Sequence, residues 1–171
     1  MSELQTKFDE LLEKQRAIAA EFQQTAQQLF KETTTQFFVE NPGVKAIVWK
    51  QYTPYFNDGD TCEFSVNDPY FTNAEGEDLH DISWGQYDGE RDDIWVAESI
   101  GWLMNHKDNG YNGDTIRLIE KSGGVNAQSC DNFSSIICSS EMQNVMLAMF
   151  GDHVEVVATA QGFDVSSFDH D

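Results

Sequence analysis

The first 41 residues contain neither glycine nor proline, and this feature constrains the fold more than any other part of the sequence. Good helix formers (alanine, glutamate, glutamine, lysine and leucine) dominate residues 2–39, and Pro42-Gly43 ends the stretch. We therefore predict one helix over residues 2–39. At 1.5 Å per residue, such a helix would be about 57 Å long, so part of it should project from a domain this small.

Apolar residues recur along this helix in a heptad rhythm. The seam positions are Leu4, Phe8, Leu11, Ile18, Phe22 and Leu29. Gln15 and Thr25 fill the two remaining seam positions, where polar residues either weaken a coiled coil or fix its register. Because an apolar stripe in water is costly, we predict a homodimer formed by this helix. The alternative is an amphipathic helix that folds against the rest of its own chain.

The pattern predicts two parts, a dimerisation helix within residues 1–41 and an acidic α+β domain over residues 42–171. We expect strands at 44–52, 61–66 and 153–160, a short strand around 82–87, helices at 94–106 and within 130–150, a strand or helical turn at 115–120, and a frayed tail at 161–171. Asp92 or Asp93 should cap the first of these helices, and Ser140 with Gln143 should form a capping box in the second. The predicted fold class is α+β, in which a long N-terminal helix precedes a small, mainly antiparallel sheet with two further helices.

The charge is strongly negative and unevenly distributed. Thirty acidic residues face ten basic ones, which gives a formal net charge of −20. Residues 1–50 hold seven acids and six bases, whereas residues 51–171 hold 23 acids and four bases. This surplus destabilises the fold by self-repulsion and exceeds the net charge of about 2–8 that solubility requires. Halophilic adaptation or simple solubility remain alternatives, although a halophile should acidify the first 50 residues as well.

Direct binding to nucleic acid is excluded by the shortage of lysine and arginine, and the inverse role is favoured. Duplex DNA carries about one negative charge per 1.7 Å of axis, so 19 surplus charges would match about ten base pairs if they formed one face. Such a face would bind a basic nucleic-acid-binding protein quickly and in a salt-sensitive way. The expected binding surface consists of Asp58, Asp60, Glu75, Glu77, Asp78, Asp81, Asp88, Glu90, Asp92 and Asp93, with Tyr70 and Tyr87 as aromatic anchors.

No catalytic motif is present. The sequence lacks GxxxxGK[ST], GxGxxG, GxSxG and HExxH, and Ser122-Gly123-Gly124 has no basic residue at the offset that a phosphate loop needs. A calcium loop starting at Asp108 fails, because Gly110 and Ile119 occupy positions that require oxygen ligands. His80 and His153 have acidic neighbours but no second histidine at ligand spacing. We therefore predict a protein that is not an enzyme and binds neither a cofactor nor a metal.

Cysteine use and hydropathy indicate the compartment. Cys62, Cys130 and Cys138 form no CxxC pair, so we expect reduced and mostly buried thiols, as in a cytosolic protein. The N-terminus is polar and no apolar run approaches 18 residues, so neither a signal peptide nor a membrane span is predicted.

Residues 49–66, WKQYTPYFNDGDTCEFSV, resemble a segment of small acidic bacteriophage proteins. The resemblance covers about a tenth of the chain and implies a phage setting, in which such proteins inhibit host nucleases, polymerases or immune complexes. The favoured hypothesis is therefore an anti-defence inhibitor that mimics nucleic acid in the host cytoplasm. The alternatives are a helix-mediated adaptor or scaffold, an oligomer that sequesters a ligand near Arg91, Arg117 or Lys121, and an enzyme.

Overall fold

The computed structural model describes residues 3–56, 59, 61–76, 79–80, 82, 87, 91–107 and 112–169. The helices of this part of the chain are α1 (Glu3–Glu40), α2 (Ile100–Asn105), α3 (Gly113–Ser122), α4 (Ala127–Ile137) and α5 (Gln143–Phe150). The strands are β1 (Ala46–Tyr52), β2 (Ser65–Val66), β3 (Tyr70–Thr72), β4 (Val96–Ala97), β5 (Val154–Thr159) and β6 (Gly162–Ser167). The predicted α+β class is confirmed, with four helices after α1 in the described ranges instead of two.

The strands form one antiparallel sheet in the order β4-β3-β1-β5-β6. β1 lies at its centre, paired from Ala46 to Gln51 with β5 on one side. On its other side β1 pairs first with β3 and then, near its C-terminal end, with β2. Since successive side chains of a strand point to opposite faces, Trp49 and Lys50 belong to different layers of the molecule.

The face that carries Trp49 packs against the helices. Ile47, Trp49 and Val156 are almost completely buried there, together with Phe37 of α1 and Phe133 of α4. The rings of Phe37 and Phe133 lie 5.3 Å apart and tilted, an arrangement that aromatic pairs favour. Seven of the twenty buried residues that the structure describes in this main core are aromatic.

The opposite face has a smaller apolar cluster. Ala46, Val48 and Val157 contribute from the sheet, and Leu79 and Ile82 cover them from the acidic segment that follows β3. The predicted short strand around 82–87 lies mostly outside the described residues. This smaller cluster does not cover the whole face, and the sheet remains open beside Lys50.

α1 matches the predicted helix closely, and only its C-terminal end packs against the rest of the chain. Phe30, Thr34, Phe37 and Phe38 are buried, whereas the six predicted seam residues from Leu4 to Leu29 are between 54% and 68% exposed. The alternative of a helix folded against its own chain therefore holds only for the last three turns. The first 26 or so residues of α1 project into solvent.

The helix predicted over 94–106 is wrong in its first half, where Val96 and Ala97 form β4 and residues 94–99 are not helical. Thr72 Oγ1 donates a hydrogen bond to the carbonyl of Trp95, and the amide of Trp95 donates to the side-chain oxygen of Asn73. These bonds hold the chain extended beside β3, so the helix begins only at Ile100. The residue before it is Ser99, and neither Asp92 nor Asp93 caps it.

The helix predicted within 130–150 is two helices. The chain turns over residues 138–142 between α4 and α5, and the expected capping box does not form, because Met142 precedes α5 without a side-chain cap. Gln143 instead donates to the carbonyl of Ser139 and accepts from the amide of Val66. Residues 115–120, left open between strand and helical turn, belong to α3.

Two of the predicted strands are confirmed, one is much shorter than predicted, and β6 was not predicted. The strands at 44–52 and 153–160 are confirmed as β1 and β5, whereas only Ser65 and Val66 of the predicted 61–66 strand pair with β1. The frayed tail predicted over 161–171 is wrong for residues 162–167, which pair with β5 as β6. Its alternating apolar residues Phe163 and Val165 were too few to indicate a strand.

Two glycine-containing loops that are distant in sequence meet beside α4. The amide of Gly43 donates to the carbonyl of Gly124 at 3.1 Å. A Cβ at Gly43 would lie 1.8 Å from the backbone oxygen of Gly123, so only glycine fits. Ser122-Gly123-Gly124 is therefore a packing element, in agreement with its lack of a phosphate-loop pattern.

Candidate functional site

The predicted acidic surface is only partly described. Asp58, Asp60, Glu77, Asp78, Asp81, Asp88 and Glu90 lie outside the described residues. Glu75, Asp92 and Asp93 are exposed, as a binding surface requires. Tyr70 is half-buried in β3, and Tyr87 is half-buried against the smaller apolar cluster.

Two of the exposed carboxylates are partly neutralised within the chain. Asp93 accepts two hydrogen bonds from Arg91, at 2.9 Å and 2.6 Å, which lower its pKa. Glu75 lies 3.8 Å from the Lys45 ammonium. These pairs reduce the charge that Glu75 and Asp93 could offer to a partner.

A cavity of about 490 Å³ lies on the sheet face opposite the main core, a volume within the range of small-ligand sites. Lys50 and Glu155 lie at its floor and Phe168 lines it. Tyr70, Asp68 and Glu98 line it towards β3 and β4. Strand alternation produces this arrangement, since Lys50 and Glu155 are register partners on β1 and β5 and therefore share one face.

The floor of the cavity is a charged pair. The Lys50 ammonium lies 3.9 Å from a carboxylate oxygen of Glu155, whose side chain is almost completely buried. Burial lowers the pKa of Lys50, and the charge of Glu155 opposes that shift. The ammonium also lies 4.3 Å from the centre of the Phe168 ring, within the range of a cation–π interaction.

His80 bridges two carboxylates next to this floor. Its Nδ1 lies 3.1 Å from Glu155 and its Nε2 lies 2.9 Å from Asp164. The hydrogen bond with Asp164 raises the pKa of His80, burial opposes this, and Glu155 raises it further. The protonated ring donates from both nitrogens, so His80 is a cross-link between β5, β6 and the segment that carries it.

This histidine does not build a metal centre with its neighbours. The two carboxylates contact opposite ring nitrogens, so their oxygens do not converge on one point. Within the ranges that the structure describes, no three histidine, cysteine, aspartate or glutamate side chains are grouped as metal ligands.

Asp68, Tyr70 and Glu98 line the cavity, and Trp102 lines the two depressions that adjoin it; we call these four residues the Tyr70 rim. Burial raises the pKa of Tyr70, and the charges of Glu98 and Asp68 raise it further. Trp102 is 53% exposed and lines the two adjoining depressions, one with Tyr70 and Glu98 and the other with Asp68. The rim thus combines negative charge with exposed aromatic surface.

The cysteines do not supply a nucleophile here. None is in a disulfide; Cys130 is buried, and Cys62 and Cys138 are half-buried. Burial, followed by the charge of Asp68, raises the pKa of Cys138 to about 11, although its sulfur lines the cavity. Burial raises the pKa of Cys130 to about 12. Both are thiols at neutral pH, and a thiol is a poor nucleophile.

Sequence reasoning found only Tyr70 among the rim residues. Asp68 and Glu98 are isolated acids beside short strands, and nothing in the linear pattern marks them. Trp102 is one of the apolar residues of the helix predicted over 94–106, and nothing in the sequence pattern indicates its exposure. A signal for Lys50 and Glu155 did exist, since each is the one charged residue of a mostly apolar strand.

The expected ligand pocket near Arg91, Arg117 or Lys121 does not coincide with this cavity, which none of the three lines. Arg91 bonds to Asp93, and Arg117 lies 3.2 Å from Asp114 on the surface of α3. The basic group at the cavity is Lys50 instead.

Comparison with known proteins returned no relative: no protein-family model, curated protein or solved structure matches the chain. Among the described residues, no helix is both long enough and apolar enough to cross a membrane.

Proposed function

We propose that the protein is a non-catalytic inhibitor that binds a basic, nucleic-acid-binding host or defence protein in competition with nucleic acid. The observation that carries this proposal is the Tyr70 rim, where Asp68 and Glu98 line one cavity with half-buried Tyr70 and share the adjoining depressions with exposed Trp102. Arginine and lysine side chains bind such combinations well, because they pair with carboxylates and stack on aromatic rings. Aromatic anchors inside a charged surface are also the usual hot spots of interfaces.

The pairing of basic residues supports the proposal. After residue 50 the chain has four lysines and arginines, and three of them contact a carboxylate of the same chain. These pairs are Arg91 with Asp93, Lys107 with Glu120, and Arg117 with Asp114. The few cations are thus engaged locally, and the remaining acidic surface gives the long-range field that steers a basic protein.

The chemistry of the cavity supports a binding role over a catalytic one. A general base or nucleophile must have a lone pair available to the substrate. His80 uses both ring nitrogens on carboxylates, and the Cys138 thiol is protonated. Lys50 is held between Glu155 and the Phe168 ring.

The test is retention of basic proteins by the immobilised full-length chain. The probe is the heparin-binding protein fraction of a bacterial extract, applied at low and at physiological salt. Two variants with equal charge change are compared, Asp68→Asn/Glu98→Gln at the rim and Glu10→Gln/Glu13→Gln on the projecting part of α1. Since each carries the same net charge, a difference between them reports position and not bulk charge.

We expect the rim variant to retain about tenfold less of the bound proteins than the α1 variant, as loss of charged contacts at an interface predicts. Retention by the wild type should fall with salt, and a duplex oligonucleotide should displace the bound proteins. Equal retention by the two variants, or failure of the duplex to compete, would contradict the proposal.

A further inference from the structure

We propose that the projecting part of α1 pairs with α1 of a second copy in antiparallel orientation. We call the acidic α+β domain of each copy, residues 42–171, the body. Antiparallel pairing places the two bodies at opposite ends of the helix pair. This goes beyond the proposed function, since the rim lies on the body and needs no second copy. The starting observation is the exposure of all six seam residues, Leu4, Phe8, Leu11, Ile18, Phe22 and Leu29, each by more than half. Water-exposed apolar surface of this extent marks an interface.

The apolar surface is large enough for a stable dimer. Large side chains carry up to about 200 Å² each, so six of them exposed by roughly 60% offer on the order of 700 Å² per copy. Standard interfaces bury about 800 Å² per partner, and the flanking residues Leu12, Ala19 and Ala26 add to the stripe. The same helix of a second copy therefore offers enough apolar area to cover this surface.

The length of the projecting segment fits an antiparallel partner. In the register that places Leu29 against the partner's Leu4, Phe22 faces the partner's Leu11, and Gln15 faces the partner's Ile18. Every seam position from residue 4 to residue 29 then faces a seam position of the partner helix. The partner's Leu4 then lies opposite Leu29, one residue before Phe30 enters the core, so the paired seam lies on the projecting part of both helices.

Charge favours the antiparallel over the parallel orientation. In the antiparallel register, Lys14 lies beside the partner's Glu21, and the symmetry of the dimer makes this pair twice. In a parallel pair, Lys14 would lie beside the partner's Ala19, and no such ion pair would form. The residues after 50 carry a net charge of −19 in each copy. Antiparallel pairing separates the two bodies by about 39 Å of helix, several times the Debye length of about 8 Å.

Cysteine cross-linking determines the orientation. Leu4→Cys and Leu29→Cys are made separately in the full chain, each with Cys62→Ser and Cys138→Ser, and are oxidised alone and as a mixture. We expect a disulfide-linked dimer in the mixture, joining residue 4 to residue 29, and about tenfold less dimer from either variant alone. Cross-linking of Leu4→Cys alone would show a parallel pair and overturn the proposal. Absence of cross-linking in the mixture would overturn it too.

A charge-reversal pair gives an independent test that leaves the seam intact. Lys14→Glu and Glu21→Lys each place like charges opposite one another in an antiparallel homodimer. We expect each variant to dissociate about fivefold more readily than the wild type in sedimentation equilibrium. Mixed together, they restore complementary pairs and should form the heterodimer. Equal affinities in the mixture and in the separate variants would overturn the antiparallel register, and circular dichroism checks that α1 stays helical.

Discussion

The ring of Phe30 stacks on the ring of Phe163 at a centroid distance of 5.8 Å and an angle of 16°. This contact joins α1, the first element of the fold, to β6, the last one. The residue before it, Leu29, is 56% exposed, so the helix leaves the body between these two positions. β6, which lies in the tail that the sequence predicts to be frayed, therefore anchors the projecting helix.

Removal of the Phe30 ring should destabilise the body. Phe30→Ala leaves a cavity between Phe133, Phe150 and Phe163, and we expect a loss of about 3–5 kcal/mol in the free energy of unfolding. Urea denaturation followed by tryptophan fluorescence measures it. The control is Val39→Ala on the same helix, which is 68% exposed and should change stability by less than about 0.5 kcal/mol. Similar losses in both variants would refute the described position of α1.

Gln51 is buried at the centre of the sheet and stabilises the fold through three side-chain hydrogen bonds. Its amide nitrogen donates to the carbonyls of Met146 and Gly151, at 3.1 Å and 2.6 Å, and its oxygen accepts from the Trp49 indole. Gln51→Leu would leave these groups without a partner, at about 1–3 kcal/mol for each one that water cannot reach. We expect a loss of at least about 2 kcal/mol in thermal or urea unfolding. Exposed Gln128 provides the control, and a Gln51→Leu protein as stable as Gln128→Leu would contradict this role.

The His80 cross-link should make stability depend on pH. Its pKa is raised chiefly by Asp164, so its contribution is complete below about pH 6.5 and disappears as the pH rises through the raised value. The pKa of Asp164 is lowered by His80, so its contribution exists above about pH 4 and disappears on acidification. The pair therefore stabilises most between about pH 4 and 6.5.

We accordingly expect His80→Gln to destabilise the protein more at about pH 5.5 than at about pH 9. Urea denaturation of both proteins at the two pH values measures the difference, and nuclear magnetic resonance gives the titration midpoint of His80. A midpoint at or below about 6.5, or an equal loss at both pH values, would count against the cross-link.

Cys138 should react slowly with thiol reagents although it lines the cavity. With a pKa of about 11, only about a thousandth of it is thiolate at pH 8, against about a quarter for an ordinary cysteine. We expect alkylation by iodoacetamide, followed by mass spectrometry, to accelerate about tenfold per pH unit from pH 8 to 10. A rate that levels off below about pH 9 would mean that the thiol is not shifted in this way.

The sequence predicted those parts of the fold that local pattern controls. The run without glycine or proline gave α1 to within one or two residues, and β-branched residues gave β1 and β5. The errors occurred where contacts distant in sequence decide the structure. Asn73 holds Trp95 in an extended chain that looked helical, and pairing with β5 makes a strand of a polar tail.

The candidate site shows the same limit. Lys50 and Glu155 are 105 residues apart, and only the register of β1 with β5 brings them together. Asp68, just before β3, and Glu98, just after β4, line one cavity with Tyr70 because β3 and β4 pair, which no composition or spacing reveals. The charge surplus follows from counting residues, but only the fold shows that Asp68 and Glu98 line the same cavity.

The most direct test of the proposed function is zero-length carbodiimide cross-linking of the wild-type protein to a captured basic partner, with the links mapped by mass spectrometry. This chemistry joins carboxylates to lysines in direct contact. We expect links from Asp68 and Glu98, and none from Glu10 or Glu13. Links confined to Glu10, Glu13 or other α1 carboxylates would show that the helix binds the partner, and would contradict recognition by the acidic body.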